Sequence, residues 1–239
     1  MEWEAFLPWL EDEFTIFTFA DFYHGESEFP HDRLESSPLQ KDEIAAFFRA
    51  FANEKEHSYL NLMAYSSGGR TVLCLIEKKA FAIDEVWLFA PDGIEISLWN
   101  KVFGNFKWAQ KVFKKIISKP DSFFKLARSL NKAGLLSTSL TYFVLANMRE
   151  EQKRQMIYNY WLVYREVIPD VNKLINIINE KELRFHLIFG EDDRVISPAI
   201  GKRFIKGLES NSDLTVLKSG HLLVDKKHLS TLIDGFPLK

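Results

Sequence analysis

The sequence has one cysteine, Cys74, which excludes an internal disulfide framework. Its neighbours Val72, Leu73, Leu75 and Ile76 mark it as a buried, inert thiol rather than a nucleophile. No apolar run approaches the roughly 18 to 20 residues of a membrane span. The first residues, with Glu2 and Glu4, lack the basic start and apolar stretch of a signal peptide. A soluble chain of the cytoplasm is therefore expected. Neither charge sign dominates: the net charge is -2 and the sequence pI is near 6.3, so the overall balance gives no reason to expect a nucleic-acid partner. No internal repeat or low-complexity segment is present. What the chain does have is material for a core, since 46% of its 239 residues are hydrophobic and 14% aromatic, enough for one large core or one core with an inserted lid.

The stretch from Leu60 to Leu73 organises the rest. An apolar run suited to a buried strand stops at Ser66-Ser67-Gly68-Gly69 and resumes with a helical pattern. A serine on such a strand-turn-helix is lifted clear of the backbone, and the small residues around it let strand and helix pack closely enough to make the turn. Ala64-Tyr65-Ser66-Ser67-Gly68 thus reads as a nucleophile elbow of the G-x-S-x-G kind with alanine at the first glycine. The plain alternative is a Ser/Gly loop.

Upstream, Trp3 to Leu10 predicts a short aromatic helix and Phe14 to Ala20 a strand. The following Asp21-Phe22-Tyr23-His24-Gly25-Glu26-Ser27 resembles the D-x-x-G-H-G-x-S end of the fourth strand in the α/β-hydrolase family, with Tyr23 in place of the first glycine. In that motif the histidine packs the loop, so the resemblance implies a structural His24. Glu28 to Gln40 is a surface loop, and Ile44, Phe47, Phe48 and Phe51 make one apolar stripe of a helix. His57 lies in a polar, solvated connection. A further strand, Asp84 to Gly93, ends in Ala90-Pro91-Asp92-Gly93, which looks like the family's sixth strand. Strands alternating with helices imply parallel βαβ units, so the fold class expected is α/β with a mostly parallel sheet of the α/β-hydrolase type.

From 95 to 183 strand patterns give way to helical ones: Trp99 to Ser118, Ser122 to Lys132, Ser139 to Asn147 and Glu150 to Val167. By the resemblance this is the helical cap, dividing the core into 1–94 and 184–239. Its aromatics, Phe103, Phe106, Trp108, Phe113, Tyr158, Tyr160, Trp161 and Tyr164, suit either the roof of an apolar substrate pocket or ordinary packing. The lysines at 101, 107, 111, 114, 115 and 119 read either as a solvated helix face or as a helix lying on a membrane surface.

Two later motifs complete the resemblance. Arg184 to Gly190 is an apolar strand, and Gly190-Glu191-Asp192-Asp193 resembles the family's G-x-x-D loop, which favours Asp193 over Asp192 as the acid of a catalytic triad. Ser197 and Pro198 signal the next helix. Asp92 is the alternative acid. After the short strand Leu214 to Leu217, Ser219-Gly220-His221 matches the family's G-H, before a helix expected to start near Leu222. His186 falls within a strand, packed or hydrogen-bonded, and His31 and His228 have no comparable setting. The order Ser66, Asp193, His221 is that of an α/β-hydrolase triad. A serine hydroxyl needs a base, an imidazole can serve, and an ionised carboxylate holds the imidazole tautomer.

The backbone N–H of Ser67 would supply one oxyanion donor. The family's second donor comes from an H-G loop after its third strand, and no stretch here matches it. The resemblance thus begins after the family's first three strands, which predicts an N-terminally incomplete fold, by truncation or by replacement of that strand. The implied activity is that of a serine hydrolase, an esterase acting on a small ester or acyl substrate with an apolar part, needing no metal or organic cofactor. The alternative is a non-catalytic relative that binds a ligand or partner.

Overall fold

The computed structural model describes residues 2–57, 59–96, 102, 104–134, 148–209 and 211–233. The chain divides into two compact units: Met1–Ala20, Ala45–Ile94 and Pro169–Lys239 form the first, Asp21–Ile44 and Glu95–Ile168 the second. Among the described residues the strands are β1 (Tyr59–Tyr65), β2 (Ala82–Phe89), β3 (Arg184–Gly190) and β4 (Ser212–Leu217). In chain order the helices described are α1 (Leu7–Leu10), α2 (Lys41–Glu54), α3 (Gly68–Glu77), α4 (Lys107–Ser118), α5 (Pro120–Lys132), α6 (Glu151–Val163), α7 (Val171–Glu180), α8 (Pro198–Phe204) and α9 (Lys226–Ile233).

All four strands lie in the first unit and pair in parallel in the order β1-β2-β3-β4. Tyr65 faces Phe89, Phe89 faces Ile188, and Ile188 faces Thr215, so the strand ends line up along one carboxyl edge. The carboxyl-terminal halves of the middle strands, Val86 to Phe89 and Leu187 to Phe189, are apolar runs because both of their faces are covered. Leu88, Phe89, Phe185, Leu187 and Phe189 have no exposed surface, and burying a side chain of that size stabilises the fold by about 1.5–3 kcal/mol. Helix α3 packs on β1 and on α7. Phe6 is buried at the end of β2, with its ring edge-on to Trp3 and Phe89 at 5.8 and 5.7 Å.

Two sequence expectations are corrected. Phe14 to Ala20 has no regular secondary structure and forms no ladder with the sheet; Phe17 packs edge-on to Phe51 at 4.9 Å, and Phe19 lies 4.9 Å from both Phe48 and Phe51. Aromatic residues that suit a strand suit equally well a helix that offers a stripe of rings, and α2 does so. The last helix starts at Lys226, not near Leu222: Asp225, just ahead of it, accepts from the Lys227 N–H at 3.2 Å. Of the helices expected between 95 and 183, Ser139 to Asn147 lies outside the described residues, as do Trp99 to Lys101 and Phe103 of the first one, Trp99 to Ser118. Helix α7, in the same expected segment, falls in the first unit.

The second unit has its own core, Phe113, Ile117, Met148, Tyr158 and Leu162, with Phe113 stacked on Tyr158 at 5.5 Å. Arg154 is buried and satisfied by carbonyls: it donates to Ile117, Met148 and Arg149. The segment after Ala20 belongs here because Tyr164 Oη donates to Asp21 and accepts from the Phe22 N–H, both at 3.1 Å, while Leu39 N–H donates to Val163 at 3.1 Å. His24 packs edge-on to Tyr160 at 5.4 Å in this unit.

His228, buried on α9, has its pKa lowered from about 6.5 chiefly by burial and further by Lys227, with Asp225 acting the other way. Well above pH 6.5 both folded and unfolded imidazoles are neutral and the site makes no difference. Below it the unfolded chain takes up the proton more readily, so stability falls as the pH drops. A melting series from pH 8 to 5 should show that fall, and His228→Gln should flatten it. An unchanged slope in the variant would rule His228 out as its source.

Candidate active site

Ser66 follows β1 with φ +51°, a left-handed conformation that costs a non-glycine residue about 1–3 kcal/mol. Hydrogen bonds on both sides hold it there. Its N–H donates to Phe89 at 2.9 Å, and its carbonyl accepts from the Asp92 N–H at 2.8 Å and the Gly69 N–H at 3.1 Å. Glycine is required at 69 because a Cβ would lie 2.4 Å from that of Pro91. Ser67 then opens α3.

His221 arrives from the segment after β4. Its Nε2 lies 3.0 Å from Ser66 Oγ, and its Nδ1 lies 2.7 Å from Asp193 Oδ2. The Asp193 side chain is fully buried, and its other oxygen accepts from the N–H groups of Val195 and Ile196 at 2.8 and 2.9 Å. All three residues therefore stand beyond the carboxyl ends of strands β1, β3 and β4 and form one relay within the first unit. Asp192 is exposed in the same loop, its N–H bonded to Ser219.

The remaining candidates are not part of that relay. Asp92 is paired with the buried guanidinium of Arg70. His186 is stacked on Trp87 at 4.1 Å, with its nitrogens against Glu85 and Asp213. His31 and His57 are exposed, and Cys74 is buried. Among the described residues no group of three or more His, Cys, Asp or Glu is placed to hold a metal ion, and no helix is long and apolar enough to cross a membrane. Sequence reasoning missed Tyr65: its hydroxyl donates to the His221 carbonyl at 3.0 Å, and its ring lies 5.3 Å from the imidazole. It also missed Arg70. The only signal for either was proximity to Ser66 in the chain.

No protein-family model matches the sequence, and no curated protein does. Solved structures do match. An enol-lactonase from Burkholderia xenovorans superposes with a TM-score of 0.62 at 14% identity, over 98% of this chain and 84% of that one. A thermophilic esterase from Thermogutta terrifontis gives 0.60 at 16% identity, over 98% and 82%. A meta-cleavage product hydrolase from Pseudomonas fluorescens gives 0.59 at 14%, over 98% and 83%. The chain has the α/β-hydrolase fold. In parallel α/β sheets the carboxyl edge is where loops gather around ligands, and on this α/β-hydrolase fold it carries Ser66, Asp193 and His221. Chemically, a hydroxyl bonded to an imidazole that is itself bonded to a buried carboxylate can lose its proton to that imidazole.

Proposed function

We propose that this chain is a serine hydrolase, an esterase that cleaves a small ester or related acyl compound with an apolar part. The observation that carries the reading is the unbroken relay from Ser66 Oγ to His221 Nε2 at 3.0 Å and from His221 Nδ1 to Asp193 Oδ2 at 2.7 Å. In this reading Ser66 attacks the acyl carbon while His221 takes its proton, and Asp193 holds the imidazole with its proton on Nδ1 and stabilises the cation that forms. His221 then protonates the departing alcohol. Water, deprotonated by the same histidine, releases the acyl group. The Ser67 N–H, at the start of α3, faces the oxyanion in this scheme, where the helix N-terminus favours negative charge. Losing one such donor typically costs about 2.7–4 kcal/mol of transition-state stabilisation. Hydrolase and esterase activities named for the structural neighbours agree with this assignment.

A fluorophosphonate probe tests it directly. Covalent labelling is expected in the wild type and in Ser67→Ala and absent in Ser66→Ala, read by intact mass. Labelling that survives Ser66→Ala would remove Ser66 as nucleophile, and a wild type that never labels would favour a ligand-binding relative without catalysis.

A further inference from the structure

Between Lys107 and Lys132, along α4 and α5, the chain has eight lysines or arginines and one acid, Asp121, although its net charge is -2. Helix α4 buries Ala109, Phe113 and Ile117 and turns its other side outward. On that side, at helical spacing, stand Trp108, Val112, Lys115 and Lys119, with Lys107 and Lys111 on the adjacent row. Trp108 is 64% exposed, Val112 46% and Phe106, whose ring lies 6.3 Å from that of Trp108, 51%. Single exposed apolar residues are ordinary; two neighbouring aromatic rings and a valine bordered by lysines are a patterned surface. Of the eight, Lys114 is already held by Glu35.

We propose that this face of α4 docks on an anionic phospholipid surface. Trp108, Phe106 and Val112 enter the headgroup boundary, where amphipathic rings are favoured, and the surrounding lysines lay their stems along the apolar patch with their ammonium groups on the lipid phosphates and carboxylates. Charge complementarity selects this occupant. A second copy meeting the same face through a two-fold axis would set lysines against lysines. A nucleic-acid strand would satisfy the lysines and stack on the rings but give Val112 no partner. The proposal is independent of the chemistry assigned to Ser66.

The test is sedimentation with vesicles of phosphatidylcholine alone or with phosphatidylserine mixed in, using the wild-type chain and the Ser66→Ala form. Both forms should bind the anionic vesicles, release them as salt rises, and leave the neutral ones. Each lysine near an anionic surface is worth about fivefold in affinity, so Lys111→Gln with Lys115→Gln should weaken binding about 25-fold. Trp108→Ala with Val112→Ser should weaken it as well while the salt dependence remains, and Lys202→Gln, at an exposed position of α8, should change nothing. All four variant positions in the face are exposed, so unchanged melting is expected of them. Absence of vesicle binding, equal binding to neutral vesicles, or binding untouched by the α4 variants would overturn the proposal. So would association of the chain with itself or with RNA in place of lipid.

Discussion

Asp193→Asn is expected to lower turnover of a p-nitrophenyl acyl ester by about ten-thousand-fold, the loss typical of this change in Ser-His-Asp enzymes. The hydrogen bonds around Asp193 say why. Its Oδ1 accepts from the N–H groups of Val195 and Ile196, and its Oδ2 faces His221 Nδ1. An asparagine has one acceptor atom, and two backbone donors claim it, so the amide NH2 must turn toward His221. Nδ1 is then forced to accept, the imidazole proton moves to Nε2, and Ser66 meets a donor where it needs a base. Because the two backbone bonds survive, the fold should lose little stability. Asp192→Asn, at an exposed position in the same loop, should stay close to wild type. Near-normal turnover in Asp193→Asn would end its assignment. Asp92→Asn should behave differently, since it breaks the ion pair with the buried Arg70: breaking a buried pair costs about 3–5 kcal/mol. The melting point should fall there. Loss of turnover in Asp92→Asn with melting unchanged would make Asp92 the acid.

Some of this molecule was readable from residue order and some was not, and the division follows the range of the interactions. The ends of strands β1 and β3 were legible because an apolar run stops abruptly, at Ser66 in one and at Gly190 in the other. Asp193 and His221 were legible as members of short motifs in the right chain order. Phe14 to Ala20 was misread because strand propensity reports a side chain's liking for a packed surface, and the surface here is the ring stripe of α2 rather than a neighbouring strand. The Tyr65 bond to the His221 carbonyl spans 156 residues of chain, and no local pattern announces it. Arg70 in the first turn of α3 looks like a solvated base until the fold brings Asp92 over it. The acidic and basic residues around His186 likewise meet only through the register that sets Trp87 opposite His186 and His186 opposite Asp213.

Gly190→Ala should be the most damaging single-methyl change near the site. A Cβ there would stand 2.1 Å from the Gly220 carbonyl oxygen and 2.5 Å from that of Ser219. Those are backbone atoms, so no side chain can rotate aside, and the whole 219–220 segment must retreat. That segment is bound to the loop carrying the acid: Asp192 N–H donates to Ser219 at 3.0 Å and Glu191 N–H to Leu217 at 2.8 Å. It also leads directly into His221. Overpacking of this kind costs about 1–3 kcal/mol, and in a chain this size each kcal/mol lowers the melting point by about 2–4 °C. The effect on turnover should be larger than the effect on stability. Shifting the imidazole by about 1 Å from Ser66 and Asp193 is enough to cost on the order of a hundredfold. Gly220→Ala supplies the control, because a Cβ at 220 meets nothing within 4 Å and the residue is next to the same histidine. Calorimetry and ester turnover on the pair separate the two effects. If Gly190→Ala melts and turns over like the wild type, β3 and the Ser219-Gly220 segment are not in the close contact that places His221.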